Sequence, residues 1–168
     1  MLEEFDKPKH SMTAPADNPI AQHIPHVKKV NTRYLETLVG YNARRTALVI
    51  IDEFMCRMAV YGLRTIDFSV LSLITHNPGI TSKQLCNALG IQAPNMVSMI
   101  NSLAKRKLIT RLPHPTDGRA MGLHLTPTGA DMMRQAEKTA AELEIDKTAK
   151  LSKDERKTLL LLLKKIYK

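Results

Sequence analysis

Leu35, Leu38 and Val39, then Leu48, Ile51, Met55 and Met58, recur at three- and four-residue spacing, which is the period of a helix with one apolar face. The pattern predicts helix from about residue 31 to residue 61, interrupted or bent at Gly40 and ended at Gly62. In the next stretch Phe68, Leu71 and Ile74 share a face, with Thr65 as the expected N-cap and Asn77-Pro78-Gly79 as the stop. Thr81 and Gln84 then have capping-box spacing, Leu85 and Leu89 share one side, and Gly90 closes the helix. Pro94 falls in the first turn of the following helix, where a missing N–H costs nothing, and Met96, Ile100 and Leu103 form its inner face.

At "LITRLP" and "MGLHLT" the alternation shortens to that of strands, flanking "HPTDGRA" with its Asp117-Gly118 turn dipeptide. Thr126-Pro127 is an N-cap followed by a first-position proline, and it opens a long helix to about Lys147. Ser152 and Glu155 form a second capping box before a last helix with Leu159, Leu162, Leu163 and Ile166 on its apolar side. Two short helices joined by "LGIQ" make a helix-turn-helix, and the hairpin after it makes a wing. The expected fold is mainly α, in the α+β class: a winged helix-turn-helix with helical extensions at both ends.

The expected organisation is a flexible arm over 1–30, bearing Pro8, Pro15, Pro19 and Pro25, then dimerisation helices over 31–64. A DNA-binding region over 65–126 and further dimerisation helices over 127–168 complete it. The outer helices are too apolar to stand alone, and a second copy of the chain would bury their faces in a symmetric homodimer.

Composition narrows the function. The 168 residues suffice for one domain with a core, and a hydrophobic fraction of 43% excludes wholesale disorder. The net charge of +9 is uneven. Residues 80–126 carry Lys83, Lys105, Arg106, Lys107, Arg111 and Arg119 against the single acid Asp117, which points to a polyanion, nucleic acid before membrane. Residues 127–168 carry ten basic and seven acidic groups, the mixture of a solvated helix surface. The apolar run "LLLLL" is far below transmembrane length, and no signal-peptide pattern precedes the first helix, so a cytoplasmic location is expected.

The second helix of a helix-turn-helix presents its N-terminal turns to base edges in the major groove. Its outward positions here are Gln92, Pro94, Asn95, Ser98, Asn101 and Lys105. Gln and Asn suit bidentate contact with adenine, and Lys105-Arg106-Lys107 suits phosphate. Arg111 stands in the first wing strand. Arg119, at the wing tip, suits a narrow and electronegative minor groove, while Asp117 would hold the loop by accepting from its backbone or from Arg111.

"DGRAMGLHLTPTG" resembles the wing signature of the multiple antibiotic resistance regulator (MarR) family through Asp117, Arg119, Ala120, Leu125, Thr126 and Gly129. "NPGITSKQLCNALGI" and "INSLAKRKLITR" are similar to the same family's helix-turn-helix, so the resemblance spans about residues 40–168. It implies a homodimeric repressor that binds a double-stranded operator and often loses DNA affinity when a small ligand binds. The chain departs from the family pattern at Lys107, where members often have Gly, and at Ala93, where they often have a basic residue.

The effector reading rests on "YNARRTALVIIDEF". Tyr41, Arg44 and Arg45 stand on an otherwise apolar helix, and two arginines beside an apolar cleft suit a carboxylate or phosphates. Phe54, Met55 and Met58 would line such a cleft, although stripes of this kind also serve as plain core. Arg44 and Arg45 equally suit a solvated surface or DNA backbone. The segment is similar to the first helix of family members that respond to aromatic acids or their coenzyme A thioesters, which implies a small aromatic acid or acyl-coenzyme A effector.

Two alternatives stand beside this reading: a redox-responsive regulator acting through Cys56, and a non-specific architectural DNA protein. A sensing thiol needs exposure and a cationic neighbour, Arg57 is the only one near Cys56, and a buried cysteine is expected there. His23 and His26 have no further ligands nearby, so neither metal nor cofactor is expected. No Ser/His/Asp or Cys/His set assembles with motif support, so an enzyme is not expected.

Overall fold

In the computed structural model the described residues are 27–113 and 121–168. Short α1 (Arg33–Glu36) leads into α2 (Val39–Met58), a 3-10 turn (Ala59–Tyr61) and α3 (Thr65–His76). The helix-turn-helix is α4 (Ser82–Leu89) with α5 (Ala93–Lys105), preceded by the two-residue strand β1 (Ile80–Thr81). Strands β2 (Ile109–Pro113) and β3 (Met121–Leu125) form the wing, and α6 (Pro127–Lys147) and α7 (Lys153–Tyr167) close the chain.

Most expected boundaries rest on local chemistry, and there the structure agrees. Thr81 accepts from the Gln84 N–H while Gln84 accepts from the Thr81 N–H, and Ser152 and Glu155 do the same. Thr126 caps α6 by accepting from Gly129 at 3.0 Å. Three boundaries differ. The break in the first helical stretch lies at Thr37–Leu38, and Gly40 sits inside the first turn of α2. Thr65 is the first residue of α3 and Arg64 is its N-cap, because the Asp67 carboxylate accepts from the Arg64 backbone N–H. The third difference is β1, which pairs antiparallel with β3 so that the sheet order is β1-β3-β2. A two-residue strand has no periodicity to betray it.

The core gathers Leu71 and Ile74 of α3, Leu85 of α4, Met96, Ile100 and Leu103 of α5, Leu123 of β3 and Met133 of α6. The inner face expected for α5 is therefore buried, and of that expected for α3 Leu71 and Ile74 are buried and Phe68 is half-buried against the core. Phe54 and Phe68 meet edge to face, with ring centroids 5.2 Å apart, and join α2 to α3. The outer helices behave otherwise. Of the seven apolar positions that defined the first helical stretch, only Met58 is buried in the single chain. No residue of α7 is buried, and Leu159–Leu163 are all exposed.

The end of α5 explains the departure at Lys107. The Leu108 N–H donates to the Leu103 carbonyl and the Lys107 N–H to that of Ala104, a Schellman motif that needs a left-handed residue at position 107. Lys107 supplies it at φ 58, the one positive φ outside glycine among the described residues. A side chain in that region costs about 1–2 kcal/mol. Lys107→Gly is therefore expected to stabilise the fold by roughly 0.5–1 kcal/mol once glycine's greater freedom in the unfolded chain is subtracted. Urea unfolding of the two proteins measures it, and an unchanged or lower midpoint contradicts the expectation.

Candidate nucleic-acid interface

The site is built outward from α5. Met96, Ile100 and Leu103 anchor one face in the core, which turns the opposite face to solvent. Gln92, the N-cap, together with Pro94, Asn95, Ser98, Asn101 and Lys105, is exposed. The helix thus presents carboxamides and a hydroxyl in its first turns and a cation at its end. Lys83, in the first turn of α4, is also exposed and borders a cleft shared with Gln92 and Val97.

Two arginines from other elements flank this face. Arg111 of β2 donates from its guanidinium to the Asn101 Oδ1, so the structure brings together two of the expected DNA-contact residues. On the other flank, Arg64 shares a cleft with Asn95, Ser98, Met99 and Ser102. Nothing in the sequence pattern singled out Arg64, since its place beside α5 is a tertiary contact. Its partner Asp67 is buried. Burial pushes that carboxyl up, but hydrogen bonds from Arg64 outweigh the penalty and hold it below its ordinary range.

Arg106 stands apart from the lysines on either side of it. Its guanidinium donates to the Tyr61 carbonyl at 2.9 Å and to the Gly62 carbonyl at 3.0 Å, which ties the end of α5 to the 3-10 turn. Lys105 and Lys107 are exposed. Asp117 and Arg119, the wing-tip residues, lie outside the described residues, as do His23 and His26.

The expected effector residues are spread along α2. Tyr41 is half-buried and Arg44 and Arg45 are exposed in its first turns; among the described residues neither arginine forms an ion pair. At a rise of 1.5 Å per residue, Met55 lies about 17 Å further along the helix than Arg44. Phe54 and Met58 are buried in the core, while Met55 is 40% exposed and its sulfur accepts from the Thr65 hydroxyl. Cys56 is exposed in the single chain, contrary to the burial expected for it, because it stands on the side of α2 that α3 and α6 leave uncovered. Arg57 is turned away to Glu53 at 2.7 Å and Asp146 at 2.8 Å.

A helix-turn-helix with a polar recognition face, a basic rim and a β-wing defines a DNA-binding regulator. The comparisons with known proteins agree. Residues 61–120 match the model of the MarR family. A Thauera aromatica protein named for transcriptional regulation of its hcr operon is 30% identical over 131 residues, 77% of this chain and 79% of that one. The multiple antibiotic resistance protein MarR of Salmonella typhimurium is 35% identical over 100 residues, 59% of this chain and 69% of that one. The solved structure of the transcriptional repressor CouR bound to a 23-mer DNA duplex superposes with a TM-score of 0.77 at 33% identity, covering 83% of this chain and 99% of that one. CouR bound to p-coumaroyl-CoA gives a TM-score of 0.72 at the same identity, covering 83% and 97%. The chain belongs to the MarR family and is a DNA-binding transcriptional regulator of that type.

Proposed function

We propose that the protein is a homodimeric repressor that leaves a palindromic operator when an aryl-coenzyme A thioester binds along α2. The observation that carries the dimer is the uncovered apolar surface of the outer helices. Leu48, Ile51 and Met55 on α2 and Leu159–Leu163 and Ile166 on α7 are exposed in one chain, and contiguous patches of this kind mark an interface. A second copy offers the same leucines in return, as a two-fold interface requires. The α5 face, doubled by the two-fold axis, then meets two half-sites about one helical turn apart. The helices of residues 31–64 and 127–168 supply the dimer contacts, and residues 65–126 supply the DNA contacts.

The thioester is favoured over the free acid by the spacing on α2. Arg44 and Arg45 are exposed cations suited to phosphates, and the apolar Met55 lies several turns away. A short aryl acid reaches one of these places. A coenzyme A thioester, whose pantetheine arm separates its phosphates from its acyl ring, reaches both. The CouR structure with p-coumaroyl-CoA supports the same ligand class by similarity.

The test is calorimetry with aryl acids and their coenzyme A thioesters, with and without operator. A thioester is expected to bind and to weaken operator affinity by a coupling of about 1–3 kcal/mol, with operator weakening the thioester equally. The double variant Arg44→Ala, Arg45→Ala is expected to lose thioester affinity by tenfold or more, on the scale of about 1.5–3 kcal/mol for a charge-assisted hydrogen bond, and to keep DNA binding. If no thioester binds, the ligand assignment fails; if the double variant loses DNA and keeps the ligand, the two arginines belong to the DNA surface.

A further inference from the structure

We propose that Arg64 is a phosphate-binding residue of the DNA interface, held in place by the buried carboxylate of Asp67. This rests on the reading of α5 as the groove-facing helix. Asp67 is 4% exposed, and a carboxylate so buried stays ionised only with a cation and hydrogen-bond donors upon it. Arg64 supplies both. Its Nε donates to Oδ2 at 2.8 Å, one terminal nitrogen donates to Oδ1 at 2.9 Å, and its backbone N–H reaches Oδ2 at 3.3 Å.

The two ends of this pair differ in their surroundings. The Asp67 side chain is 6% exposed and that of Arg64 is 63% exposed. Two of the five guanidinium N–H groups are turned to the carboxylate, which leaves three on the solvent side. Arg64 also lines a cleft whose other walls are Asn95, Ser98, Met99 and Ser102, all from α5. The fork is thus oriented by its carboxylate and stands over the flank of the groove-facing helix.

The opposite flank carries the matching arrangement. Arg111 of β2 is fixed by Asn101 of α5. A helix in the major groove has a phosphate backbone on each side, and an oriented guanidinium meets phosphate through paired hydrogen bonds. Each arginine faces one of those backbones. A purely structural role for Arg64 uses its backbone N–H and the two guanidinium N–H groups that meet Asp67, and leaves the exposure of the rest of the guanidinium beside α5 unexplained.

The test uses the full chain and an operator selected by the wild-type protein from a randomised duplex pool. Arg64→Gln is expected to weaken binding by about tenfold, to a similar degree on operator and on mixed-sequence duplex. It is also expected to flatten the log–log salt slope by about 1–2 units, one phosphate contact per chain of the dimer. Arg64→Lys keeps a cation over Asp67 and carries the test if the Gln variant fails to fold; it is expected to keep the slope and lose part of the affinity. Duplexes neutralised at single phosphates by methylphosphonate complete the set: one position is expected to weaken the wild type and Arg64→Lys and to leave Arg64→Gln unaffected. Wild-type affinity and slope in both variants, or the absence of such a position, overturns the proposal. Asn95→Ala with Ser98→Ala separates the two levels, since wild-type operator binding in that variant means that α5 does not face the groove.

Discussion

Raising monovalent salt from about 50 to 200 mM lowers operator affinity by three to five orders of magnitude, the scale for 6–10 phosphate contacts in a protein–DNA complex. The expectation comes from where the charges stand. Lys83, Lys105, Lys107 and Arg111 are exposed around α5, Arg64 is exposed on its flank, and the two-fold axis of the proposed dimer doubles them. Each cation that meets a phosphate releases condensed counterions, and this release sets the salt slope. Arg106 is left out of the count because both terminal nitrogens of its guanidinium are held by the Tyr61 and Gly62 carbonyls. The mixed-sign surface of α6 and α7 adds little, since its cations stand among acids. Fluorescence anisotropy with a labelled operator over a salt series gives the slope, expected at roughly −5 to −9. A flat response over the same range would mean that the basic rim does not face phosphate.

Gly129→Ala destabilises the fold by at least about 3 kcal/mol, at or beyond the upper end of overpacking costs, because the new atom meets backbone that cannot yield. A Cβ at position 129 would lie 2.0 Å from the Leu108 carbonyl oxygen. That oxygen is fixed, since it accepts from the Thr126 N–H at 3.0 Å. The Thr126 hydroxyl meanwhile donates to the Lys107 carbonyl at 2.7 Å and accepts from the Gly129 N–H. The first turn of α6 is therefore laid directly on the turn between α5 and β2, and only glycine permits the approach. Relieving the clash requires α6 to lift away, which pulls Met133 and Ala136 from the core. Chemical denaturation of the variant shows the loss. A stability within about 1 kcal/mol of wild type would show that α6 does not pack as closely as described.

The sequence by itself determined what neighbouring residues decide among themselves. The paired caps Thr81/Gln84 and Ser152/Glu155, the Thr126-Pro127 start and the inner face of α5 were legible because each is a hydrogen bond or a period closed within a few residues. The wing motif and its flanks were legible as a family signature for the same reason. Tertiary structure decided the rest. The apolar period of α2 and α7 looks like that of α5, yet α5 buries its stripe while α2 exposes most of its own and α7 all of its own, because one chain supplies a core for α5, reaches only the C-terminal part of α2, and buries none of α7. Arg64 and Arg106 both lie in basic or mixed surroundings, yet one lines a cleft with the flank of α5 and the other is tied to carbonyls 44 and 45 residues away. Periodicity tells which face of an element is apolar. What that face and its charged neighbours meet depends on elements distant in sequence, and only the packed chain brings those together.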